Sequence, residues 1–167
     1  TEEYISGETL DEKLHRQGVM PPELVKYYIR QLLEALEQIH AQGIVHRDIS
    51  PKNVLISTDG VVKLLDFDIA RRRKQNQNAD TTILGTVGFA SPEQYGFLQT
   101  DATADIYALG VLMNVMLEGT LPNVHLTAQK PFCNVIKRCI EIDPQNRYQN
   151  AGELREALKL ENSGAVK

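Results

Sequence analysis

The sequence predicts a mainly α-helical domain with small β-hairpins. Apolar residues recur at helical spacing over 22–42 and 103–118, whereas the β-branched runs that favour strands are short and paired, at 54–56 and 61–65. The chain has 167 residues, of which 42% are hydrophobic and 24% charged. This length suffices for one domain with its own core, and the composition is that of ordinary globular proteins.

Charge and composition argue against several classes of function. The net charge of −4 disfavours nucleic acid as a partner, and no apolar run approaches the roughly 18 residues that a membrane span needs. Cys133 and Cys139 lie in one predicted helix, where reduced core thiols of a cytoplasmic protein are the expected state. Because the chain starts at Thr1 rather than Met, we expect it to be a piece of a longer protein.

The first predicted elements are a strand end and a short helix. Residues 1–7 read as the end of a strand that enters a turn at Ser6-Gly7. Thr9 as N-cap and Glu12 three residues later form a capping-box pattern, which predicts a helix over 9–17.

A long helix is predicted over 22–42. Proline suits the first turn of a helix, and Gly43 stands just past the end, where glycine often terminates one. One face of this helix is apolar at spacings of four and three residues, formed by Val25, Ile29, Leu32, Leu36 and Ile39.

A hairpin and a long loop follow. The β-branched runs 54–56 and 61–65 are joined by 57–60, which contains a glycine suited to a tight turn. Residues 66–93 show no periodicity. A loop of this length inside a compact domain is usually functional or mobile.

Three helices are predicted in the C-terminal part of the chain. Residues 103–118 are apolar nearly all round, so this helix should be buried centrally. After a loop over 119–130, a helix over 131–141 opens with proline, and Asn150 caps a last helix that ends near 160.

The polar loop 46–53 carries the clearest chemical pattern. Asp48 is followed five residues later by Asn53 and, beyond the hairpin, by Asp66. A carboxylate can orient a hydroxyl nucleophile and take its proton, while an amide oxygen and a second carboxylate can ligate Mg²⁺ on a triphosphate. The spacing therefore indicates phosphoryl transfer.

Several motifs share the order and spacing of one known family. They are His46-Arg47-Asp48, Asp66-Phe67-Asp68, Ser91-Pro92-Glu93, Asp105-Ile106-Tyr107-Ala108-Leu109-Gly110, and the segments 36–45 and 139–147. Together they resemble the C-terminal lobe of the protein kinase catalytic domain, and the segment 85–94 is similar to bacterial serine/threonine kinases. The resemblance implies transfer of the γ-phosphoryl group of ATP to serine or threonine of a protein substrate.

The resemblance also implies roles for the loop residues. Asp48 would be the catalytic base, and Asn53 and Asp66 would hold the Mg²⁺ that accompanies ATP. Serine/threonine kinases usually have lysine two residues after the catalytic aspartate, where this chain has Ser50. Lys52 is the remaining catalytic candidate for that role, and whether it substitutes is left open.

The resemblance also implies which residues contact the adenine of ATP. Residues 1–7 would be the remnant of the hinge, which would meet the adenine edge through the carbonyl of Glu3 and the N–H of Ile5. Leu55 falls where the family places an apolar floor under adenine. A core position in the hairpin explains Leu55 nearly as well, and both can hold.

Regulation is implied by the long loop. Arg47 would pair with a phosphate added there, since a phosphate supplies nearly two negative charges and can order a loop against an arginine. Thr81 and Thr82 are the candidate acceptors, with ordinary polar loop positions as the competing explanation.

Three residues would support the site. Glu93 and Arg147 would form a buried ion pair, and Asp105 would accept hydrogen bonds from backbone N–H groups of the catalytic loop. His46 would pack and form hydrogen bonds rather than shuttle protons. The remaining histidines show no ligand spacing and are interpreted as structural or solvent-facing: His15, His40 and His125.

The resemblance assigns 8–160 to the C-terminal lobe and 161–167 to a tail. The N-terminal lobe, with its Gly-rich loop and phosphate-binding lysine, would lie upstream. We therefore expect the chain alone to be inactive and to self-associate through the surface that the other lobe would cover. Ser50 stands in place of the usual lysine, and Asp68 stands in place of a glycine. These two differences leave open that the protein is a pseudokinase, which binds partners without catalysing transfer. The Asp-Asn-Asp pattern leaves open a small-molecule kinase of the aminoglycoside or choline type.

Overall fold

The computed structural model describes residues 7–65, 88–95 and 100–160. Its strands and helices are, in chain order, β1 Gly7–Thr9, α1 Leu10–Gln17, α2 Pro22–Ala41, β2 Val54–Ser57, β3 Val62–Leu64, α3 Pro92–Tyr95, α4 Ala102–Glu118, α5 Phe132–Cys139 and α6 Ala151–Ala157. Two short 3₁₀ turns lie at Pro51–Asn53 and Pro144–Asn146. The prediction of a mainly helical chain with little strand is confirmed.

The three strands form one antiparallel sheet in the order β1-β2-β3. The predicted hairpin is β2 and β3, with Ile56 opposite Val62 and Gly60 in the turn at a φ of 84°. The turn expected at Gly7 is wrong, because Gly7 begins β1 and pairs with Ser57. A Cβ on Gly7 would lie 2.2 Å from the carbonyl oxygen of Ile56, so glycine allows this close strand approach.

The capping box at the start of α1 is confirmed. The hydroxyl of Thr9 accepts from the N–H of Glu12 at 3.1 Å, and the carboxylate of Glu12 accepts from the N–H of Thr9 at 2.9 Å. This reciprocal pair satisfies two donors that the first turn of a helix leaves unpaired.

The helix α2 presents the predicted apolar face to the core. All five residues of that face are buried, and Tyr28 and Leu33 are buried beside them. Gly43 has a φ of 75° just past the helix end, a conformation that glycine adopts without the steric cost of a side chain.

The central element is α4, which packs against α2 and α5. It is buried along nearly its whole length, as its apolar composition predicts. The side chain of Asp101 caps its first turn, accepting from the N–H of Thr103 at 2.9 Å, and Gly119 ends the helix in the left-handed conformation at a φ of 77°.

The remaining boundaries differ from expectation by small amounts. The helix expected over 131–141 is α5, which ends at Cys139, and α6 begins after Asn150 as predicted but ends at Ala157. The loop expected over 66–93 is wrong at its end, where Pro92 begins α3, and 66–87 lie outside the described residues.

The two cysteines lie in or beside the buried part of α5. Both Cys133 and Cys139 are free, and full burial raises the pKa of the Cys139 thiol well above its usual value. Across 7–65, 88–95 and 100–160, no helix combines the length and apolar character needed to cross a membrane.

Candidate active site

The polar loop 46–53 connects α2 to β2 and is tied down at its end. Its last three residues form the 3₁₀ turn, in which the N–H of Asn53 donates to the carbonyl of Ser50 at 3.0 Å. The carbonyl of Asn53 in turn accepts from the N–H of Leu65 at 2.7 Å. The loop is therefore anchored to the residue that immediately precedes Asp66 in the chain.

Asp48 and Asn53 meet within this loop. The side-chain nitrogen of Asn53 donates to the backbone carbonyl of Asp48 at 2.7 Å and to its carboxylate at 2.9 Å. Asn53 is buried, whereas Asp48 is partly exposed. The amide thus fixes the carboxylate of a residue that is only partly buried.

The Asn53 side chain also suits a cation. Its two amide hydrogens have two acceptors on Asp48, which leaves the side-chain oxygen as the atom that would meet Mg²⁺. Asp66 lies outside the described residues. Among those that the structure describes, no group of three His, Cys, Asp or Glu side chains is placed to bind a metal. Of the two expected ligands, Asn53 is the one within the described residues.

His46 is fully buried and bonded at both ring nitrogens. Nδ1 lies 3.2 Å from the N–H of Asp48, and Nε2 lies 2.8 Å from the carbonyl of Leu65. An N–H must donate to Nδ1, and the carbonyl must accept from Nε2–H, so this geometry assigns the ring tautomer that carries its proton on Nε2. These bonds agree with a structural role and leave no ring nitrogen for proton transfer.

Asp105 joins the start of α4 to the loop. Its fully buried carboxylate accepts from the N–H of His46 and from the N–H of Arg47, each at 2.9 Å. The hydrogen bonds expected between Asp105 and the loop backbone are present. A third bond comes from Nε2 of His40, at 2.8 Å.

The contact of His40 with Asp105 was missed by sequence reasoning, which left this histidine as structural or solvent-facing. A signal was available, because His40 follows Leu36 by four residues and so lies near the buried face of α2. Its side chain is only 11% exposed.

Arg47 has an uncommon backbone conformation and a buried side-chain nitrogen without a hydrogen-bond partner among the described residues. Its φ of 71° is in the left-handed region, which is uncommon for a residue other than glycine. Its buried Nε has no hydrogen-bond partner among the described residues. Burial lowers the pKa of Arg47, against the opposing charge of Asp105. Thr81 and Thr82, whose phosphorylated side chains would pair with Arg47, lie outside the described residues.

Ser50 and Lys52 differ sharply in exposure. Ser50 is 1% exposed and its hydroxyl has no partner in the described part of the chain, whereas Lys52 is exposed on the 3₁₀ turn. Both line a mostly apolar pocket of about 420 Å³, together with Asp11, Leu14, His15, Gly18, Val19, Pro51, Phe89, Val115, Gly119, Thr120 and Leu121. Lys52 therefore lines a pocket that extends to α1 and α4, and neither Asp48 nor Asn53 is part of its lining.

Glu93 and Arg147 form the expected buried ion pair. Two guanidinium nitrogens of Arg147 contact the two carboxylate oxygens of Glu93 at 2.7 and 2.8 Å. The other donors of Arg147 reach the carbonyls of Thr103, Glu141 and Ile142 at 3.1, 2.7 and 3.2 Å. Burial is the largest single influence on the pKa of Glu93 and raises it. The hydrogen bonds and positive charge of Arg147, together with hydrogen bonds from the backbone of Glu93 and from Ser91, outweigh burial, so the pKa is lowered.

Gln94 was not singled out in the sequence. Its side-chain nitrogen donates to the carbonyl of Arg47 at 3.1 Å, and its side-chain oxygen accepts from both the N–H and the hydroxyl of Ser91, each at 3.1 Å. No local pattern announces such a contact, because Arg47 lies 47 residues earlier in the chain.

The remaining candidates concern adenine. Leu55 sits in β2 between the buried Val54 and Ile56 and is itself only partly buried, so it projects to the opposite face of the sheet. It is not part of the hydrophobic core. Glu3 and Ile5 lie outside the described residues.

Comparison with known proteins places this geometry in a family. A family model described as the protein kinase domain matches residues 1–160. A probable serine/threonine-protein kinase of Clostridium perfringens is 31% identical, over 91% of this chain and 26% of its own length. Serine/threonine-protein kinase PknB of Mycobacterium leprae is 31% identical over 97% and 30%, and a serine/threonine-protein kinase of Corynebacterium efficiens, drp72, is 36% identical over 95% and 30%. The chain thus spans less than a third of each of these relatives.

Proposed function

The chain belongs to the protein kinase family, and from this premise we propose that it forms the C-terminal lobe of a serine/threonine kinase. The whole protein would transfer the γ-phosphoryl group of ATP to a serine or threonine hydroxyl of a protein substrate. The observation that carries this proposal is the contact between Asp48, a partly buried residue, and Asn53, a buried one, whose side-chain nitrogen donates to the Asp48 carboxylate at 2.9 Å.

In this proposal Asp48 is the general base. Its carboxylate accepts a hydrogen bond from the substrate hydroxyl and takes the proton as the hydroxyl oxygen bonds to phosphorus. Asn53, which donates to Asp48, and Asp105, which holds the backbone before it, orient the base. Such fixed placement is the protein's main contribution to phosphoryl transfer, whose chemistry needs positioning and charge more than covalent help.

Asn53 and Asp66 would hold Mg²⁺, which offsets the charge of the phosphates when it is bound with ATP. The exposed Lys52 would supply a further positive charge near the transferred group, in place of the lysine that Ser50 lacks. Leu55 would lie under adenine, a role supported by its projection away from the core. Glu3 and Ile5 would meet the adenine edge.

Arg47 would receive a regulatory phosphate on Thr81 or Thr82. The unpartnered buried Nε and the lowered pKa of this guanidinium support the assignment, because a nearby anion would satisfy the donor and favour the charged form.

A binding-only pseudokinase is the second candidate. It is favoured by Ser50, which is buried where the family usually has lysine. Retention of Asp48 and Asn53 in hydrogen-bonded contact argues for the enzyme.

The test is a transfer assay on the chain with its natural upstream residues, using labelled Mg-ATP and a generic protein acceptor. We expect Asp48→Asn to reduce transfer by about 10²–10⁴-fold, the usual contribution of a general base. The matched control is Asp59→Asn, which makes the same change in the exposed turn of the hairpin and should leave transfer unchanged.

Transfer that persists in Asp48→Asn would refute the assignment of the base. A wild-type protein that binds Mg-ATP without transferring phosphate would favour the pseudokinase. Autophosphorylation at Thr81 or Thr82 would disfavour a small-molecule kinase.

A further inference from the structure

We propose that Gln94 is a positioning residue for the catalytic base: it holds the peptide between Arg47 and Asp48 and so couples the segment 88–95 to the active site. The inference rests on the proposed function, in which Asp48 is that base. Gln94 would touch neither substrate nor ATP and would act through the backbone alone.

The contact is well defined. Gln94 is 5% exposed, and its nitrogen donates to the carbonyl of Arg47 at 3.1 Å. Its oxygen is held by two donors of Ser91, the N–H and the hydroxyl. Because the amide is fixed at its oxygen end, its nitrogen end has a defined direction toward Arg47.

The bonded carbonyl belongs to the peptide that carries Asp48. The N–H of the same peptide, that of Asp48, donates to Nδ1 of His46 at 3.2 Å. Both polar atoms of this peptide are therefore bonded, one by Gln94 and one by His46. Rotation of a peptide plane reorients the Cα–Cβ bond of the next residue, so this arrangement sets the direction of the Asp48 carboxylate.

This peptide needs holding because Arg47 is left-handed. At a φ of 71° a residue with a side chain is strained, and such strain persists only where surrounding contacts enforce it. Asp105 holds the N–H of Arg47 at 2.9 Å on one side, and Gln94 holds its carbonyl on the other. Without Gln94 the carbonyl would lose the contact that opposes relaxation of this φ.

Gln94 also links two parts of the site. It follows Glu93, whose carboxylate is clamped by Arg147 at 2.7 and 2.8 Å. The orientation of the Asp48 carboxylate would thus depend on the ion pair between Glu93 and Arg147, which fixes the segment 88–95 to the rest of the fold.

The test is Gln94→Glu in the protein with its natural upstream residues. The carboxylate can still accept from Ser91 but presents an acceptor to the carbonyl of Arg47, so the bond is replaced by repulsion. We expect kcat for protein phosphorylation to fall about tenfold, as misplacement of a catalytic group costs rate, while KM for ATP stays within twofold. A kcat loss without a KM change separates positioning from general damage to the fold.

Gln31→Glu is the matched control. Gln31 makes the same kind of bridge between backbone groups, donating to the carbonyl of Gly60 at 3.0 Å and accepting from the N–H of Val62 at 3.0 Å. This bridge joins α2 to the turn end of the hairpin, and neither of its hydrogen bonds reaches the loop 46–53, so kcat should stay within twofold. Gln94→Met, which removes both ends of the Gln94 bridge without adding charge, should resemble Gln94→Glu in kcat.

Amide hydrogen exchange provides a readout that does not depend on activity. Exchange at Asp48 should quicken in both Gln94 variants and not in Gln31→Glu. A kcat within twofold of wild type in both Gln94 variants, or an equal loss in Gln31→Glu, would overturn the proposal. If the wild-type protein transfers no phosphate, the proposed function fails by itself, and unchanged exchange at Asp48 would then overturn the structural coupling as well.

Discussion

All five N–H donors of Arg147 are used inside the fold. Two meet Glu93, and the other three meet backbone carbonyls in two separate segments, Thr103 at the start of α4 and the adjacent residues Glu141 and Ile142. A lysine could not reproduce this, because it has three donors and no planar fork. At the residue scale, this guanidinium joins α3 to α4 and to the turns before α6.

The first prediction follows from that pair. Glu93→Gln removes the charge that compensates a fully buried guanidinium, so we expect the free energy of unfolding at pH 7 to fall by about 3–5 kcal/mol. Denaturant titration measures this. The matched control is Glu8→Gln, at an exposed ion pair with Arg16, where we expect almost no change.

The same pair predicts a pH dependence. The pKa of Glu93 is lowered in the fold from its ordinary value of 4.5, so its stabilisation is complete above 4.5 and is lost as pH falls through the lowered value. The wild-type protein should therefore lose more unfolding free energy on acidification than Glu93→Gln. Equal losses in the two proteins would contradict the role of this carboxylate.

At the element scale, α4 and α5 cross closely where α4 has Gly110. A Cβ at that position would lie 2.4 Å from Cβ of Cys139 and 3.2 Å from Cγ2 of Ile140. The missing side chain is thus a packing requirement, which allows the central helix to approach a neighbour that is also buried.

Gly110→Ala should therefore destabilise the protein, although alanine favours helix by nearly 1 kcal/mol relative to glycine. We expect a net loss of about 1–3 kcal/mol, the cost of overpacking a tight core, measured by thermal or denaturant unfolding. Gly152→Ala in α6 is the control, since its nearest neighbour is the side-chain oxygen of Asn150 at 3.2 Å and the change should be small. A stabilised Gly110→Ala would show that the two helices separate easily.

At the scale of the whole molecule, the proposed function makes the described residues one wall of a nucleotide cleft. They would contribute the loop 46–53 and, at Leu55, the underside of the adenine position, whereas the family's phosphate-covering loop and its lysine would come from upstream. Phosphoryl transfer depends on enclosing and neutralising the phosphates, so this wall alone should not suffice.

We therefore predict that the chain alone shows no measurable transfer and that its molecular mass rises with concentration. A protein that includes the natural upstream residues should transfer phosphate and stay monomeric, because those residues would cover the surface that faces the other lobe. Light scattering and the transfer assay measure the two effects on matched samples. A strictly monomeric chain at high concentration, or robust transfer by the chain alone, would contradict this prediction.

The sequence by itself determined the hairpin, the family and every described helix except α3. Periodicity gave α2 and α4 nearly to the residue, and local capping chemistry located the starts of α1 and α6, because these signals involve neighbours within a few residues. The loop motif pointed to Asp48 and Asn53 since their spacing is itself local.

Only the tertiary structure decided the contacts that cross the chain. One such contact is the pairing of strands β1 and β2, which are far apart in the chain. Two others are the bond from His40 to Asp105, 65 residues apart, and the bond from Gln94 to Arg47, 47 residues apart. No pattern of nearby residues specifies such contacts, because they arise from packing of whole elements. That packing brings Asp105, His46 and Gln94 into hydrogen-bond contact with the backbone of Arg47 and Asp48, where Arg47 has a positive φ.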